Sequence, residues 1–294
     1  METGFFVNKE TCQRCYTCVS ICPSKFIQTQ ESGEIYFDLE KERQCIKCGH
    51  CMAVCTVKAV QINGLSYESD FFELTSNSPG NGFFDLISSR RSIRSFINKP
   101  VPRELIEKII EAVSMAPMGF PPHKVEISVV QNRETIEKAL PYMFGLYKDL
   151  EKGMNNVIGR TIIKHKLDSE RYYTIKNHVL PAMKYRIPLF EQKGEDSITR
   201  GAQAMLLFHA DKESESHTED LYIDVAYGLL AAHALGLGAS AISLVPPSIE
   251  RVKELRKIFR IPNENEVLGC IILGYPKYRF KRGIKRELKS IIWI

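Results

Sequence analysis

The chain has 294 residues, 44% of them hydrophobic and 26% charged, with a formal net charge of +5. This composition describes a globular protein with room for one small and one medium domain. So mild a charge does not argue for nucleic acid, and no run of 18 apolar residues is present to span a bilayer. The longest apolar stretch, Leu221 to Val245, carries Asp224 and His233 and is rich in Ala and Gly. It reads as a buried helix running into a strand.

Eight of the nine cysteines lie between Cys12 and Cys55. They form Cys12-x2-Cys15-x2-Cys18-x3-Cys22-Pro23 and Cys45-x2-Cys48-x2-Cys51-x3-Cys55, and each cysteine of the first run has a counterpart 33 residues later. This is an internal duplication. Soft thiolates at this spacing suit iron–sulfur clusters, because each iron of a cubane takes one Cys sulfur and tight x2 loops wrap three ligands around one face. A disulfide framework needs an oxidising compartment, and the chain opens METGFFVNKE with no secretory core. Zinc sites use two Cys pairs with a spacer, a different pattern. From cysteine usage and the opening residues, a reducing cytoplasm is the expected compartment.

Residues 1–66 resemble a two-cluster bacterial-type ferredoxin. In such proteins the fourth Cys of each run ligates the other cluster. The resemblance therefore implies one 4Fe–4S cluster on Cys12, Cys15, Cys18 and Cys55, and a second on Cys45, Cys48, Cys51 and Cys22. Thr56 departs from the pattern, standing where Pro23 follows the first run. That Pro only stiffens the loop exit, so ligation is unaffected. Gly33 and Gly49-His50 are expected to supply turns, and His50 to lie at the surface or behind the ligands. Cluster ligation is expected to provide much of the folding energy of so small a domain.

Residues 67–83, YESDFFELTSNSPGNGF, lack periodicity and read as a linker. A second domain is expected over 84–294. It opens with a short helix from Phe84 to Ser88, then the basic loop Arg90-Arg91-Ser92-Ile93-Arg94-Ser95-Phe96. Forked guanidiniums and hydroxyls in that loop match phosphate oxygens, although a solvated basic loop has the same composition. A helix starts at Val101-Pro102, with Leu105, Ile106, Ile109, Ile110 and Val113 on one face, and ends before Pro117. Strands are expected at Val125–Val130, 203–210, Ala239–Val245 and Val267–Leu273. Residues 140–200 have helical spacing, Asp211 to Asp220 reads as a polar loop, and Leu221 to Leu235 as a long helix. His165 and His178 read as exposed or capping residues, His209 as a satisfied core or rim histidine, and Cys270 as a buried small hydrophobe. GLGAS follows a helix and lacks GxGxxG, so no dinucleotide fingerprint is present.

Taken in order, RRSIRSF, the Pro-started helix, Ala116-Pro117, Gly236-Leu237-Gly238-Ala239 and Leu273-Gly274-Tyr275-Pro276 followed by arginines resemble the nitroreductase family. The resemblance implies an α+β fold, an FMN cofactor and a homodimer with flavin at the subunit interface. By position, Arg90, Arg91 and Ser92 match phosphate and ribityl contacts and Arg94 a further polar contact. Pro117, Met118, Gly119 and Pro121 match a loop that touches flavin from the other subunit. Ser243 and Leu244 match backbone contacts at the ring edge, Arg286 a second phosphate arginine, and Arg282 a helper. The MGFPPH loop lacks the serines and asparagine of the commoner pattern, so contacts from it to flavin would come from its backbone.

The whole chain looks like a ferredoxin–nitroreductase fusion of the anaerobe type. The resemblance implies electrons passing from a low-potential donor, such as reduced ferredoxin, through two 4Fe–4S clusters to FMN. The acceptor would be a small nitro compound, quinone or activated double bond; no side chain is compelled as general acid. NAD(P)H remains open as a donor. The alternative is an electron-transfer or redox-sensing flavoprotein that serves a protein partner without small-molecule turnover. A third reading is a reaction on flavin itself or reductive dehalogenation.

Overall fold

A computed structural model of the chain describes residues 4–73, 82–119 and 124–294. It divides into two compact units, Met1–Arg90 with Tyr278–Ile294, and Arg91–Lys277. Among the described residues no helix is long and apolar enough to cross a membrane.

The first unit contains β1 (Phe6–Val7), α1 (Thr17–Ile21), β2 (Ile27–Thr29), β3 (Ile35–Phe37), α2 (His50–Val54), β4 (Val60–Gln61), β5 (Phe71–Glu73) and α3 (Gly82–Ser89). β1 pairs with β4 and β2 with β3, each antiparallel. Gly33, at φ +78°, makes the expected turn between β2 and β3. The duplication is written in the backbone as well as the cysteines. Left-handed residues recur at Arg14 and Lys47, Tyr16 and Gly49, and Lys25 and Lys58, each pair 33 apart. A non-glycine residue in that conformation costs roughly 1–2 kcal/mol, so its repetition marks turns that the surroundings impose. Between the two halves lies a small core of Phe26, Ile27, Phe37 and Met52, into which Cys18 and Cys51 are packed.

One feature departs from a linker followed by a self-contained second domain. Tyr67 packs on Phe71 at 5.5 Å between ring centroids, and β5 is paired in register with a strand returning from the C-terminus, Arg282–Ile284. Residues 67–73 thus belong to the first unit, and so does the tail after Lys277. Residues 74–81 of the expected linker lie outside the described residues. The Phe72 ring lies over Gly283, where an added Cβ would meet its Cζ at 1.9 Å and displace the ring.

The second unit holds α4 (Arg103–Ser114), β6 (Glu126–Val130), α5 (Arg133–Asn155), α6 (Val157–Lys166), α7 (Ser169–Thr174), α8 (Leu180–Lys193), β7 (Ala204–Asp211), α9 (His217–Ala234), β8 (Gly238–Ala241), α10 (Val245–Arg251), α11 (Lys253–Phe259) and β9 (Asn265–Gly274). The four strands form one antiparallel sheet in the order β6-β7-β9-β8. Alternation sends Met205, Leu207, Cys270 and Ile272 to one face, against α5, α8, α10 and α11. Leu206, Phe208, Ile271 and Leu273 go to the other, against α4 and α9. The central strands are covered on both faces, which is why they read as continuous apolar runs. This is the α+β fold expected.

Two boundaries move. β8 stops at Ala241, and Val245 opens α10, whose Pro246 and Pro247 sit where the first turn needs no N–H donor. α9 begins at His217 rather than Leu221, because Asp220 is drawn inside.

Candidate functional site

The first group of predicted residues is the cysteine set. Burial pushes the Cys18 thiol up to about 12, and the next contributions come from Cys55, Cys15 and Cys12 in turn. Burial also pushes Cys51 well up, followed by the effects of Cys48, Cys22 and Cys45 and, smallest, of Cys18. Cys22, Cys45, Cys48 and Cys51 line one small cavity together with Pro23, Lys47 and Gly49. The chain therefore brings the fourth cysteine of each run to the first three of the other. Among the described residues no three His, Cys, Asp or Glu side chains converge closely enough to hold a single ion. A cubane asks for a different arrangement, four sulfurs set apart with one for each iron. Left-handed residues on either side of Cys15 and Cys48 curl each x2 loop around its ligands, and the Ala59 amide donates to Cys55 Sγ at 3.2 Å. The residues fit two such clusters. His50 is buried against Phe280 at 5.0 Å between rings, not placed at the surface.

The second group is the basic loop. Its backbone is stitched to the sheet on both sides. Ser92 bridges Ala239, and the Ile93 amide donates to Ala239 O at 2.9 Å. Phe96 bridges Pro276, and the Lys277 amide donates to Ser95 O at 3.0 Å. Two glycines make this possible. A Cβ on Gly238 would lie 2.7 Å from Ile93 Cγ2, and one on Gly274 2.7 Å from Phe96 Cδ1. The glycines noted in the sequence thus accept the loop's apolar side chains. Arg91 is buried, and Arg94 Nη1 donates to Ser92 O at 3.4 Å, which holds the two residues as one polar group.

Ser243 is exposed in the turn after β8. The Leu244 carbonyl accepts from Tyr147 Oη at 2.6 Å and Ser248 Oγ at 2.9 Å, so the turn is fixed from below. Burial pushes the Tyr147 phenol up to about 12, keeping it a donor. Arg90 ends α3 in the first unit, where burial holds its guanidinium below the usual range. Arg286 is also in the first unit and exposed.

Pro117, Met118 and Gly119 leave the end of α4, and the Gly119 amide donates to Asp220 Oδ1 at 2.8 Å. Pro121 lies outside the described residues. Asp220 Oδ2 is 3.6 Å from Lys124 Nζ, both side chains about 5% exposed or less. This anchor sits in the first turn of α9, whereas Ser92 and Ile93 join the chain just past its last turn. At 1.5 Å per residue, the two loops are separated by roughly 20 Å along that helix. Their described residues thus meet the chain at opposite ends of α9.

Asp224, one turn past Asp220, is pushed up to about 6 by burial and then by Asp220. An acid whose folded value is raised binds its proton more tightly when folded, so its penalty grows as pH rises from about 4 through 6. Asp224→Asn is expected to stabilise the protein by about 2–3 kcal/mol at pH 8 and by little at pH 4. Thermal melts of parent and variant across that range would read the difference. A gain independent of pH would remove Asp224 as its source.

The structure places Arg282 away from the phosphate role expected of it. Its side chain is buried in the first unit, with Nε donating to Glu73 Oε1 at 2.6 Å, Nη1 to Cys55 O and Nη2 to Thr56 O at 3.3 Å. In sequence Arg282 reads as a helper of Arg286, and the pairing of its strand with β5 is what sets it apart. Of the remaining side chains, Cys270 is buried as expected and its thiol pushed up by that burial. His209 is satisfied by Ser128 Oγ at 2.9 Å and Asn265 Nδ2 at 2.8 Å. His165 and His178 are exposed.

Comparison with known proteins joins these two halves. Residues 11–70 match the 4Fe-4S dicluster domain. Residues 87–275, well over half the chain, match the nitroreductase family. A putative NADH dehydrogenase/NAD(P)H nitroreductase from Methanothermobacter thermautotrophicus is 26% identical over 196 residues, covering 65% of this chain and 76% of that protein. Iodotyrosine deiodinase 1 from Rattus norvegicus is 26% identical over 207 residues, 66% of this chain and 62% of that protein. Among solved structures, a nitroreductase with bound FMN from Bacteroides fragilis aligns at a TM-score of 0.54 and 18% identity, over 73% of this chain and 99% of that one. An FMN-dependent nitroreductase from Clostridium difficile aligns at 0.51 and 18%, with the same coverage. These structural likenesses concern the fold, and the family match settles membership: the chain belongs to the nitroreductase family of oxidoreductases, with a 4Fe-4S dicluster domain in the same polypeptide.

Proposed function

We propose that this protein takes electrons singly from a low-potential donor, such as reduced ferredoxin, and delivers them to a small organic acceptor: a nitro compound, a quinone or an activated double bond. The observation that carries the reading is one polypeptide with two Cys tetrads and a nitroreductase fold. FMN, where bound, supplies the ability to take up electrons one at a time and release them as a pair. Cys12, Cys15, Cys18 and Cys55 hold one cluster, and Cys22, Cys45, Cys48 and Cys51 the other. Arg90, Arg91, Ser92, Arg94 and Arg286 bind the phosphate and ribityl end, and Ser243 with Leu244 lies along the ring edge. Pro117, Met118, Gly119 and Pro121 serve a flavin held mainly by a second copy. The roughly 20 Å between this loop and Ser92 in one chain supports that sharing. Arg282 has no part in the phosphate site, because its three nitrogens are turned to Glu73, Cys55 and Thr56.

Iron, sulfide and flavin content of anaerobically purified protein tests the reading first. About eight irons and one FMN per chain, both bleached by dithionite, are expected. Turnover of a nitro or enone acceptor with reduced ferredoxin should follow. A fully loaded protein that reduces none of a broad acceptor panel, yet exchanges electrons with a protein partner, would replace the enzyme by the electron-transfer module. Arg90→Ala combined with Arg286→Ala is expected to weaken FMN binding at least tenfold at unchanged iron content, since each charged hydrogen bond is worth about 1.5–3 kcal/mol. Equal flavin content in variant and parent would remove the phosphate assignment.

A further inference from the structure

The duplication makes the two cluster sites near copies, down to two cations beside the ligands. Arg14 and Lys47 occupy one repeated position and Lys25 and Lys58 another, so each site receives the same two cations. Exposed charges at the rim are screened by solvent and salt. Among the described residues of the first unit, one buried cation has no counterpart. Arg282 arrives from outside the duplication, on a strand pinned to β5 by the Arg282–Glu73, Gly283–Phe72 and Ile284–Phe71 register. It reaches the carbonyls of Cys55 and of Thr56, the residue that stands where the first run has Pro23. Its guanidinium also lies 5.6 Å from the centre of the Tyr67 ring. The side chain is 6% exposed while its ion-pair partner among the described residues, Glu73, is 62% exposed. The carboxylate is therefore well screened, and the buried positive charge is not.

We propose that Arg282 raises the reduction potential of the cluster on Cys12, Cys15, Cys18 and Cys55 above that of its duplicate, making it the cluster that holds the first electron. Reduction adds one electron from a one-electron donor and no proton, so the cluster becomes more negative by one charge. A nearby buried cation stabilises that state, and net charge and hydrogen bonding are established levers on such potentials. The same contacts hold the loop that carries Cys55. The inference rests on the two-cluster reading above.

The test is an anaerobic, EPR-monitored dithionite titration of the full chain, with iron counted in every sample. The parent should show two unequal one-electron steps. Arg282→Gln should lower only the upper step, by about tenfold in the reduction equilibrium or 59 mV. Cys15→Ser, which alters a ligand of the same cluster, should move that same step. Arg282→Lys keeps the charge and should retain most of the parent value. Glu73→Gln, which removes the screened anion, should move the upper step the other way by a smaller amount. An Arg282→Gln protein with full iron and parent-like steps would overturn the proposal, as would equal movement of both steps. Where Arg282→Gln fails to assemble a cluster, unshifted steps in Glu73→Gln would overturn it. Fewer than about eight irons in the parent would instead defeat the two-cluster reading itself.

Discussion

Alanine at Cys22 and alanine at Cys55 are each expected to remove about four of about eight irons, but from opposite runs. The reason is the proposed crossing of the tetrads, in which Cys22 lines one cavity with Cys45, Cys48 and Cys51 while Cys18 feels Cys55 ahead of Cys15 and Cys12. Double variants separate this from the uncrossed alternative. Cys22→Ala with Cys45→Ala should keep four irons, because both residues serve one cluster. Cys22→Ala with Cys12→Ala should keep none. The reverse pattern would mean that each run closes its own cluster. The loss should also reach the fold. Cys18 and Cys51 are packed into the same small core as Phe26 and Met52, and a core of this size leans on its metal for stability. Limited proteolysis should therefore cut residues 4–73 quickly in the iron-free double variant and leave the sheet of β6 to β9 intact.

The cluster half of this molecule was legible because its chemistry is carried by spacing. Eight cysteines 33 apart in pairs leave few alternatives, and the left-handed residues at the same offset follow from the same loops. The reductase half was legible in outline, since its central strands are apolar throughout and α4 carries a clear 3.6-residue stripe. The returning strand was not legible. FFE and RGI are three residues each, with no period to read, and they meet across more than two hundred residues of chain. Pairing at that range is decided by the folded surroundings, not by local preference. Arg282 consequently reads in sequence as a helper of Arg286 at the phosphate. Asp220 was misread for a related reason: a carboxylate in a polar stretch reads as solvated until its partners, Lys124 and the Gly119 amide, are seen.

The placement of the basic loop depends on space at Gly238, and this sets the second large effect. Gly238 → Ala puts a methyl where Ile93 already stands, 2.7 Å from its Cγ2 and 2.9 Å from its Cβ. Gly238 lies in a strand and is not among the positive-φ glycines, so the substitution adds volume without backbone strain. Overpacking of this kind costs about 1–3 kcal/mol. Relief by moving Ile93 would break its amide bond to Ala239 O and carry Arg91, Ser92 and Arg94 with it. FMN content is expected to fall sharply at unchanged iron. Gly236→Ala is the control. Its φ of +76° makes any side chain strained, at roughly 1–2 kcal/mol, but nothing lies within 4 Å of the added methyl. It should destabilise by a similar amount and keep its flavin. Adding Ile93→Ala to Gly238→Ala should restore part of both stability and flavin, a coupling that neighbours show and distant sites do not. Equal flavin loss in the Gly236 and Gly238 variants would mean that stability alone governs cofactor retention, and the loop would lose its special place in the site.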